Sequence, residues 1–365
     1  MNMDNQIEPL KIEKHLLNRK FPSYDRPVVI GCFSLDVHRN YCNDLSQMKY
    51  VRVNDRFLRD GETYKVRYDL DRGREHSIER DYVDEHLDNL LKWILENNKT
   101  KENHVVADVV CFRGSLAKLM CTVYENQEGW IFCATKFNGT LFLCQFETEE
   151  KIKQRENMSD KEKQFTFWGR KFERYMCSDR PGVRPNPSVI VNDSEELCVI
   201  FKTKLNNRRL LIGAEVDGVL NCSNEINSSG ELAQCRLVEL KTSRIMFSDK
   251  QYKSFERFKL IRWWSQSFLV GIEHLLCGFR NDKGTVCKLQ HFNVLQIPNK
   301  AKDVWNPNIC MNFCDEFLHY VESVVEQERP DTVWKFEWNP GDDCVRALKL
   351  EGPSQYSFLP QWFTE

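Results

Sequence analysis

Two short runs, Glu215-Val216-Asp217 and Glu239-Leu240-Lys241, set three carboxylates and one amine at two-residue spacing. Residues i and i+2 of an extended strand leave from the same face, so each run presents its charged heads together. The opposite parity is apolar, with Leu210, Ile212, Ala214 and Val216 in the first run and Val238, Leu240 and Thr242 in the second. One apolar and one charged face predict two strands, and antiparallel pairing would bring opposed side chains roughly 5 Å apart. Carboxylates that close repel unless a cation lies among them, and hard oxygen ligands select Mg2+ or Mn2+. Such an ion activates water and offsets charge developing on a phosphoryl group, which is the chemistry of phosphodiester or pyrophosphate hydrolysis. Lys241, among carboxylates, has its pKa pushed upward and suits orienting the water and stabilising charge, not taking a proton. Gly169-Arg170-Lys171-Phe172-Glu173 adds a further acid upstream. The plain alternative is that alternating charge is a strand's solvated side, in a chain with 54 acidic residues. Against it stand Gly213 and Gly218, which flank the first acidic run and permit close approach of a ligand or another backbone.

These residues need a frame. Residues 221–234, rich in Asn, Ser and Gly, read as the loop of a long hairpin or a short excursion. After Lys241 comes a helix that opens on Ser248-Asp249-Lys250-Gln251, a capping-box pattern. It carries Tyr252, Phe255, Phe258, Ile261, Trp264 and Phe268 at three- and four-residue steps, a stripe that reads as core packing, with base stacking as the competing use. Lys250, Lys253, Arg257, Lys259 and Arg262 occupy its other sides, as a solvated face or as a basic surface near the acids. Leu87, Leu90, Leu91 and Ile94 predict a helix over 84–96, and another is expected over 310–325. The charge-dense stretches 97–103 and 147–162 read as surface loops or a solvated helix. No linker or fixed-period repeat divides the chain, so the expectation is a single domain over 1–365 with a short flexible N-terminus of about 25 residues. Its class is α/β (α+β), with mixed β-sheets flanked by helices.

The net charge of −2 argues against a protein that coats nucleic acid broadly. Locally the balance differs, because residues 236–262 hold eight Lys or Arg against three acids. A basic wall around an acidic centre suits an enzyme that grips one end of a strand, with salt-sensitive binding. The 15 cysteines, odd in number and scattered, come with no apolar N-terminal signal and point to a reduced nuclear or cytosolic setting. Cys310 and Cys314, four apart with His319 beyond, suit one buried helix face better than a metal knuckle, since no second ligand pair accompanies them. No apolar run has membrane-spanning length.

Several blocks occur in order: Phe112-Arg113-Gly114, Gly169 to Glu173 followed by Arg174-Tyr175-Met176-Cys177, Gly213 to Asp217, Val238 to Ser243, Trp263-Trp264-Ser265-Gln266, Trp305-Asn306-Pro307 and Phe358-Leu359-Pro360-Gln361-Trp362. Through them the chain resembles, from about residue 29 to its end, the DXO family of RNA decapping enzymes and 5′-to-3′ exoribonucleases. Asp217 with Glu239-Leu240-Lys241 has the form of the PD-(D/E)XK nuclease core. The resemblance implies that Glu173, Glu215, Asp217 and Glu239 hold Mg2+ or Mn2+, some directly and some through water, with the backbone carbonyl of Leu240 as a further ligand. It implies a catalytic role for these acids and Lys241, and contacts to the scissile phosphate from Lys241 and Gln266. Glu215 and the block Phe112-Arg113-Gly114 would touch substrate, with Arg113 on the RNA backbone, while Arg39 and Cys198 fall where relatives line the substrate channel. Phe112 stands where many relatives have Trp, which removes an indole N–H donor and implies a shifted cap preference with cleavage unchanged. The implied reactions are release of a cap dinucleotide, pyrophosphate removal from triphosphorylated RNA, NAD-cap removal and degradation of 5′-monophosphate RNA. The implied partners are RNA 5′ ends and a nuclear 5′-to-3′ exoribonuclease, and the implied setting is a monomer in the nucleus. Two other readings stay open. A structure-specific DNA nuclease on the same core would be separated by comparing RNA with matched DNA, since the 2′-OH distinguishes them. A non-catalytic RNA-end binder would show a lost acid or lysine, and none is lost.

Overall fold

The computed structural model describes residues 7–59, 61–80, 82–98 and 106–365. Its strands, numbered in chain order, form two mixed sheets. The larger has ten, running across space as β1 (Leu10–Lys11), β17 (Cys344–Glu351), β16 (Thr332–Trp338), β7 (Trp130–Phe137), β8 (Thr140–Phe146), β6 (Val109–Phe112), β11 (Arg208–Glu215), β10 (Glu196–Leu205), β2 (Val28–Leu35) and β3 (Tyr41–Cys42). The smaller has seven: β5 (Thr63–Asp69), β15 (Thr285–Asn293), β14 (His274–Arg280), β13 (Leu237–Arg244), β12 (Gly218–Leu220), β4 (Tyr50–Val51) and β9 (Cys177–Ser178). Mixed sheets flanked by helices are the class expected from the sequence.

The run 208–220 is not one strand. β11 ends at Glu215 in the larger sheet, the Val216 amide donates to the Leu197 carbonyl at 3.0 Å, and β12 resumes at Gly218 in the smaller sheet. The expected antiparallel pairing with β13 is therefore made by β12, in the register Gly218↔Val238 and Val219↔Leu237, and not by the strand that bears Glu215. Gly218 permits the crossing, because a Cβ there would lie 2.7 Å from the Lys49 carbonyl oxygen. At Gly213 the close approach is made by the Phe112 ring, 2.9 Å from where a Cβ would be.

Strand parity then sorts the side chains. Val238 and Leu240 of β13 pack beneath Phe167, Trp168, Phe172 and Met176 of the helix Asp160–Met176. Leu237 points the other way, into a core shared by both sheets with Ile212, Ala214 and Val216, so Glu239 and Lys241 also face inward. Leu116, Met120, Trp264, Phe313 and Phe317 close that core from the helices Arg113–Cys121, Ile261–Phe268 and Pro307–Val324. Each such side chain, fully buried, contributes roughly 1.5–3 kcal/mol. On its other face the larger sheet packs Phe33, Cys198 and Leu211 under Leu90, Leu91 and Trp93 of the helix Asp88–Asn97.

The helix after Lys241 departs from expectation in phase. Ser248 accepts from the Gln251 amide, but Gln251 Oε1 reaches the Phe247 amide instead of closing the box on Ser248. The helical run is Asp249–Ser254, a π-helical segment Phe255–Leu260 and then Ile261–Phe268. Each π turn takes in an extra residue and rotates the faces. The buried side thus passes from Phe255 to Leu260, Ile261, Trp263 and Trp264, while Tyr252 is exposed and Phe258 half-buried. The helix expected over 84–96 is Asp88–Asn97, and that over 310–325 is Pro307–Val324, with Cys310 and Cys314 fully buried and His319 exposed. Within 147–162, Glu149–Glu156 forms a solvated helix, whereas residues 99–103 of the stretch 97–103 lie outside the described residues. Of the N-terminal segment of about 25 residues expected to be flexible, residues 1–6 lie outside the described residues and the rest is placed against the fold. Leu10 and Lys11 pair with Val345 and Cys344, and the buried Asn312 amide donates to the carbonyls of Leu17, Arg19 and Lys20 at 3.0, 3.2 and 3.2 Å.

Candidate metal centre

Glu173 comes from the helix Asp160–Met176, Glu215 from the end of β11, Asp217 from the crossing between sheets and Glu239 from β13. Glu173, Glu215 and Asp217 line a cleft of about 300 Å3 whose walls also carry Lys49, Arg170, Arg174, Arg180 and Arg184. Glu239 lies behind it, 1% exposed. Continuing the β12–β13 register places Asp217 opposite Glu239, and Asp217 Oδ2 accepts from the Leu240 amide at 2.5 Å. The acids therefore meet, but as a set drawn from two sheets and a helix.

Their charges are held very differently. Lys241 Nζ stands 2.6 Å from Glu239 Oε1, and Arg113 Nη1 stands 3.0 Å from Oε2. Burial works to raise the Glu239 carboxyl, but Lys241 and Arg113 overcome it and hold it at about 2. Burial also works against the charge on Lys241, yet Glu239 and Asp217 keep its pKa above the ordinary lysine value. Lys241 is thus a donor at neutral pH, as its neighbours predict. Burial likewise opposes the charge on Glu215, but Arg170, 2.7 Å away, and Arg113 leave it below the ordinary range. The other two acids move the opposite way. Burial, with Glu239 and Glu173 adding to it, pushes Asp217 well above the usual carboxylate range. Burial, opposed by Arg170 and reinforced by Glu215, raises Glu173 to about 7.

Among the described residues, no three Asp, Glu, His or Cys side chains stand together as a ready-made ligand cluster. Arg170, Arg113 and Lys241 reach in among the carboxylates instead. The donor set nonetheless suits a hard divalent cation, being four carboxylates without a soft ligand. Asp217 and Glu173 stay above their ordinary values although Lys241 acts on both and Arg170 on Glu173, and a divalent ion among them would keep them ionised.

The remaining candidates divide. Arg113 opens its helix directly from Phe112 at the end of β6, no side chain among the described residues caps that end, and Gly114 is exposed with open space among those residues where a Cβ would be. Unpaired N–H groups at a helix start attract anions. Arg39 is placed beside Phe112 and Glu196 in a second cavity of about 300 Å3, but its guanidinium is engaged. It donates to Glu85 at 2.6 and 2.9 Å, to Glu196 at 2.8 Å and to the Ser194 carbonyl at 3.0 Å. Cys198 does not line a channel. It is fully buried on the same face of β10 as Glu196, two residues further on, where the helix Asp88–Asn97 covers the sheet; Glu196 takes the cleft position. Gln266 is half-buried on the helix Ile261–Phe268 and is not among the side chains lining the cleft. Sequence reasoning misses Arg170 and Glu196, which line the cleft, and Asp193, whose Oδ1 lies 3.6 Å from Arg170 Nε. Arg170 precedes Glu173 by one helical turn and Glu196 precedes Cys198 by two strand residues, so periodicity held a signal for both. Asp193 lies in a loop and leaves none.

A family model described as RAI1 like PD-(D/E)XK nuclease matches residues 25–364. The decapping and exoribonuclease protein of Mus musculus is 39% identical, over 98% of this chain and 89% of its own length. The crystal structure of Candida albicans Rai1 in complex with pU5-Mn2+ has a TM-score of 0.82 at 19% identity, covering 100% of this chain and 98% of that one. Scheffersomyces stipitis Rai1 in complex with (3′-NADP)+ and calcium ion has a TM-score of 0.80 at 20% identity, covering 98% of each chain. With a family match across nearly its whole length and acids converging from both sheets, this chain belongs to the RAI1-like PD-(D/E)XK nuclease family.

Proposed function

We propose that the chain is a metal-dependent RNA 5′-end decapping enzyme that also degrades RNA from 5′ to 3′. The observation that carries this reading is the meeting of carboxylates from a helix and two sheets beside Lys241, whose proton Glu239 and Asp217 retain. When bound at Glu173, Glu215, Asp217 and Glu239, with the Leu240 carbonyl as a further ligand, Mg2+ or Mn2+ supplies Lewis acidity toward a water and a phosphoryl oxygen. The chain's own residues do the rest. Lys241 donates toward the charged oxygens at phosphorus, and Arg113 at its uncapped helix start holds a neighbouring phosphate. The rim cations Lys49, Arg174, Arg180 and Arg184 track the backbone of a single strand leaving the cleft. Burial of Glu239 keeps the inner wall dry, which strengthens each of these contacts. One such site serves capped, triphosphorylated, NAD-capped and monophosphorylated ends, because each presents a phosphorus to attack beside a strand of RNA. The pU5 and (3′-NADP)+ in the two fungal relatives support a single strand and a dinucleotide as ligands.

The test is product analysis on a panel of those four RNAs in Mg2+ and then Mn2+. Asp217→Ala and Glu239→Gln should abolish hydrolysis while RNA affinity stays within a few-fold of wild type. Turnover in excess chelator would sink the metal requirement, and equal hydrolysis of matched DNA would favour the DNA nuclease.

A further inference from the structure

Arg170 touches three acids. Its Nη1 lies 2.7 Å from Glu215 Oε1 and 3.7 Å from Glu173 Oε2, and its Nε lies 3.6 Å from Asp193 Oδ1. Only the first is a hydrogen bond. Asp193 Oδ1 is buried and, among the described residues, has no hydrogen-bond partner. A buried acceptor left unmatched is unfavourable, and it stands just beyond hydrogen-bond reach of Nε while Nη1 of the same guanidinium is held by Glu215.

We infer that Arg170 is a two-position side chain: it occupies Glu215 while the metal is away and turns to the unmatched oxygen of Asp193 when the metal takes Glu215. This rests on the reading of the acids as a metal centre. A guanidinium on Glu215 and a divalent cation compete for one carboxylate, so without an alternative partner the arginine would hold the site against its ion. Asp193 provides that partner at the cost of a small side-chain rotation. Arg170 is thus a positioning residue, and Asp193 sets how readily the metal is admitted. Burial raises the Asp193 carboxyl above the ordinary range, Arg170 opposes the rise, and Glu79 and Glu215 add to it, so a closer guanidinium would relieve the acid.

The experiment is Mn2+ binding to the full chain, read as the signal of free Mn2+ by electron paramagnetic resonance and repeated by calorimetry, with no substrate present. Arg170→Met removes the competitor and should lower the Kd for Mn2+ about tenfold, the weight of one hydrogen bond to a charged group. Asp193→Asn keeps the shape but removes the charge that draws Arg170 away, so Kd should rise a few-fold. In the double variant the Asp193→Asn effect should vanish, because its only route is through Arg170. Arg170→Lys, which keeps a cation, should bind more weakly than Arg170→Met. An unchanged or raised Kd in Arg170→Met, or an Asp193→Asn effect of equal size with and without Arg170, overturns the inference. If Arg170→Met does not fold, the isosteric Asp193→Asn decides alone: an unchanged Kd refutes. Wild type that binds no Mn2+ overturns instead the metal reading beneath it, and Asp217→Ala is the control that should lose binding.

Discussion

Glu239 and Glu173 belong to one centre yet titrate in opposite directions, and each direction has a measurable consequence. Glu239 is 1% exposed and shared by Lys241 and Arg113, so Glu239→Ala leaves two cations without their counter-charge. A loss of roughly 3–5 kcal/mol in urea unfolding is expected, with Glu239→Gln losing less. The folded Glu239 carboxyl sits at about 2 against an ordinary 4.5, so its stabilisation is present above 4.5 and is lost as pH falls toward 2. For Glu173, raised from 4.5 to about 7, the folded chain binds the extra proton within that window, and stability falls as pH rises through it. In chelator, Glu173→Gln should therefore match wild type in Tm below pH 4.5 and exceed it by on the order of a few °C above pH 7. A difference constant across pH would refute the raised value. The Glu239 and Lys241 pair was legible because i, i+2 spacing on a strand dictates it. Arg170 was legible only in part, since its one-turn spacing to Glu173 is a signal but the strong pairing across to Glu215 on another element leaves no mark in Gly169-Arg170-Lys171-Phe172-Glu173. Lys171 turns away, buried and donating to the Pro187 carbonyl at 2.6 Å.

At the scale of elements, period-two alternation located β11 and β13 but could not show that the chain changes sheets between Glu215 and Gly218. Alternation runs unbroken through Val216, which is as apolar as either strand requires and is buried in the shared core. The cause of the crossing is a backbone approach at Gly218, and a lone glycine does not announce its neighbour. Gly218→Ala would press a Cβ to 2.7 Å from the Lys49 carbonyl, where no side chain can yield. We expect a loss of roughly 1–3 kcal/mol, together with loss of hydrolysis as Asp217 parts from the Leu240 amide. Unchanged Tm and activity would show that the crossing tolerates a side chain. The π segment Phe255–Leu260 was hidden for a related reason: apolar steps of three and four count equally well along a regular helix.

Over the whole molecule, residues far apart in sequence close the structure, which a one-dimensional pattern cannot display. Asn312 is the example, a buried amide on the helix Pro307–Val324 that gathers the carbonyls of Leu17, Arg19 and Lys20. Asn312→Leu should lower stability by roughly 1–3 kcal/mol and expose the segment 8–25 to faster amide exchange, whereas hydrolysis is expected to persist. Besides the core they share, the two sheets meet across the tripeptide Glu215-Val216-Asp217 as two plates, with an acid on each plate and a third on the crossing. An ion held by all three would work as a rivet across that crossing, tying resistance to shear between the sheets to the same carboxylates that hydrolysis needs.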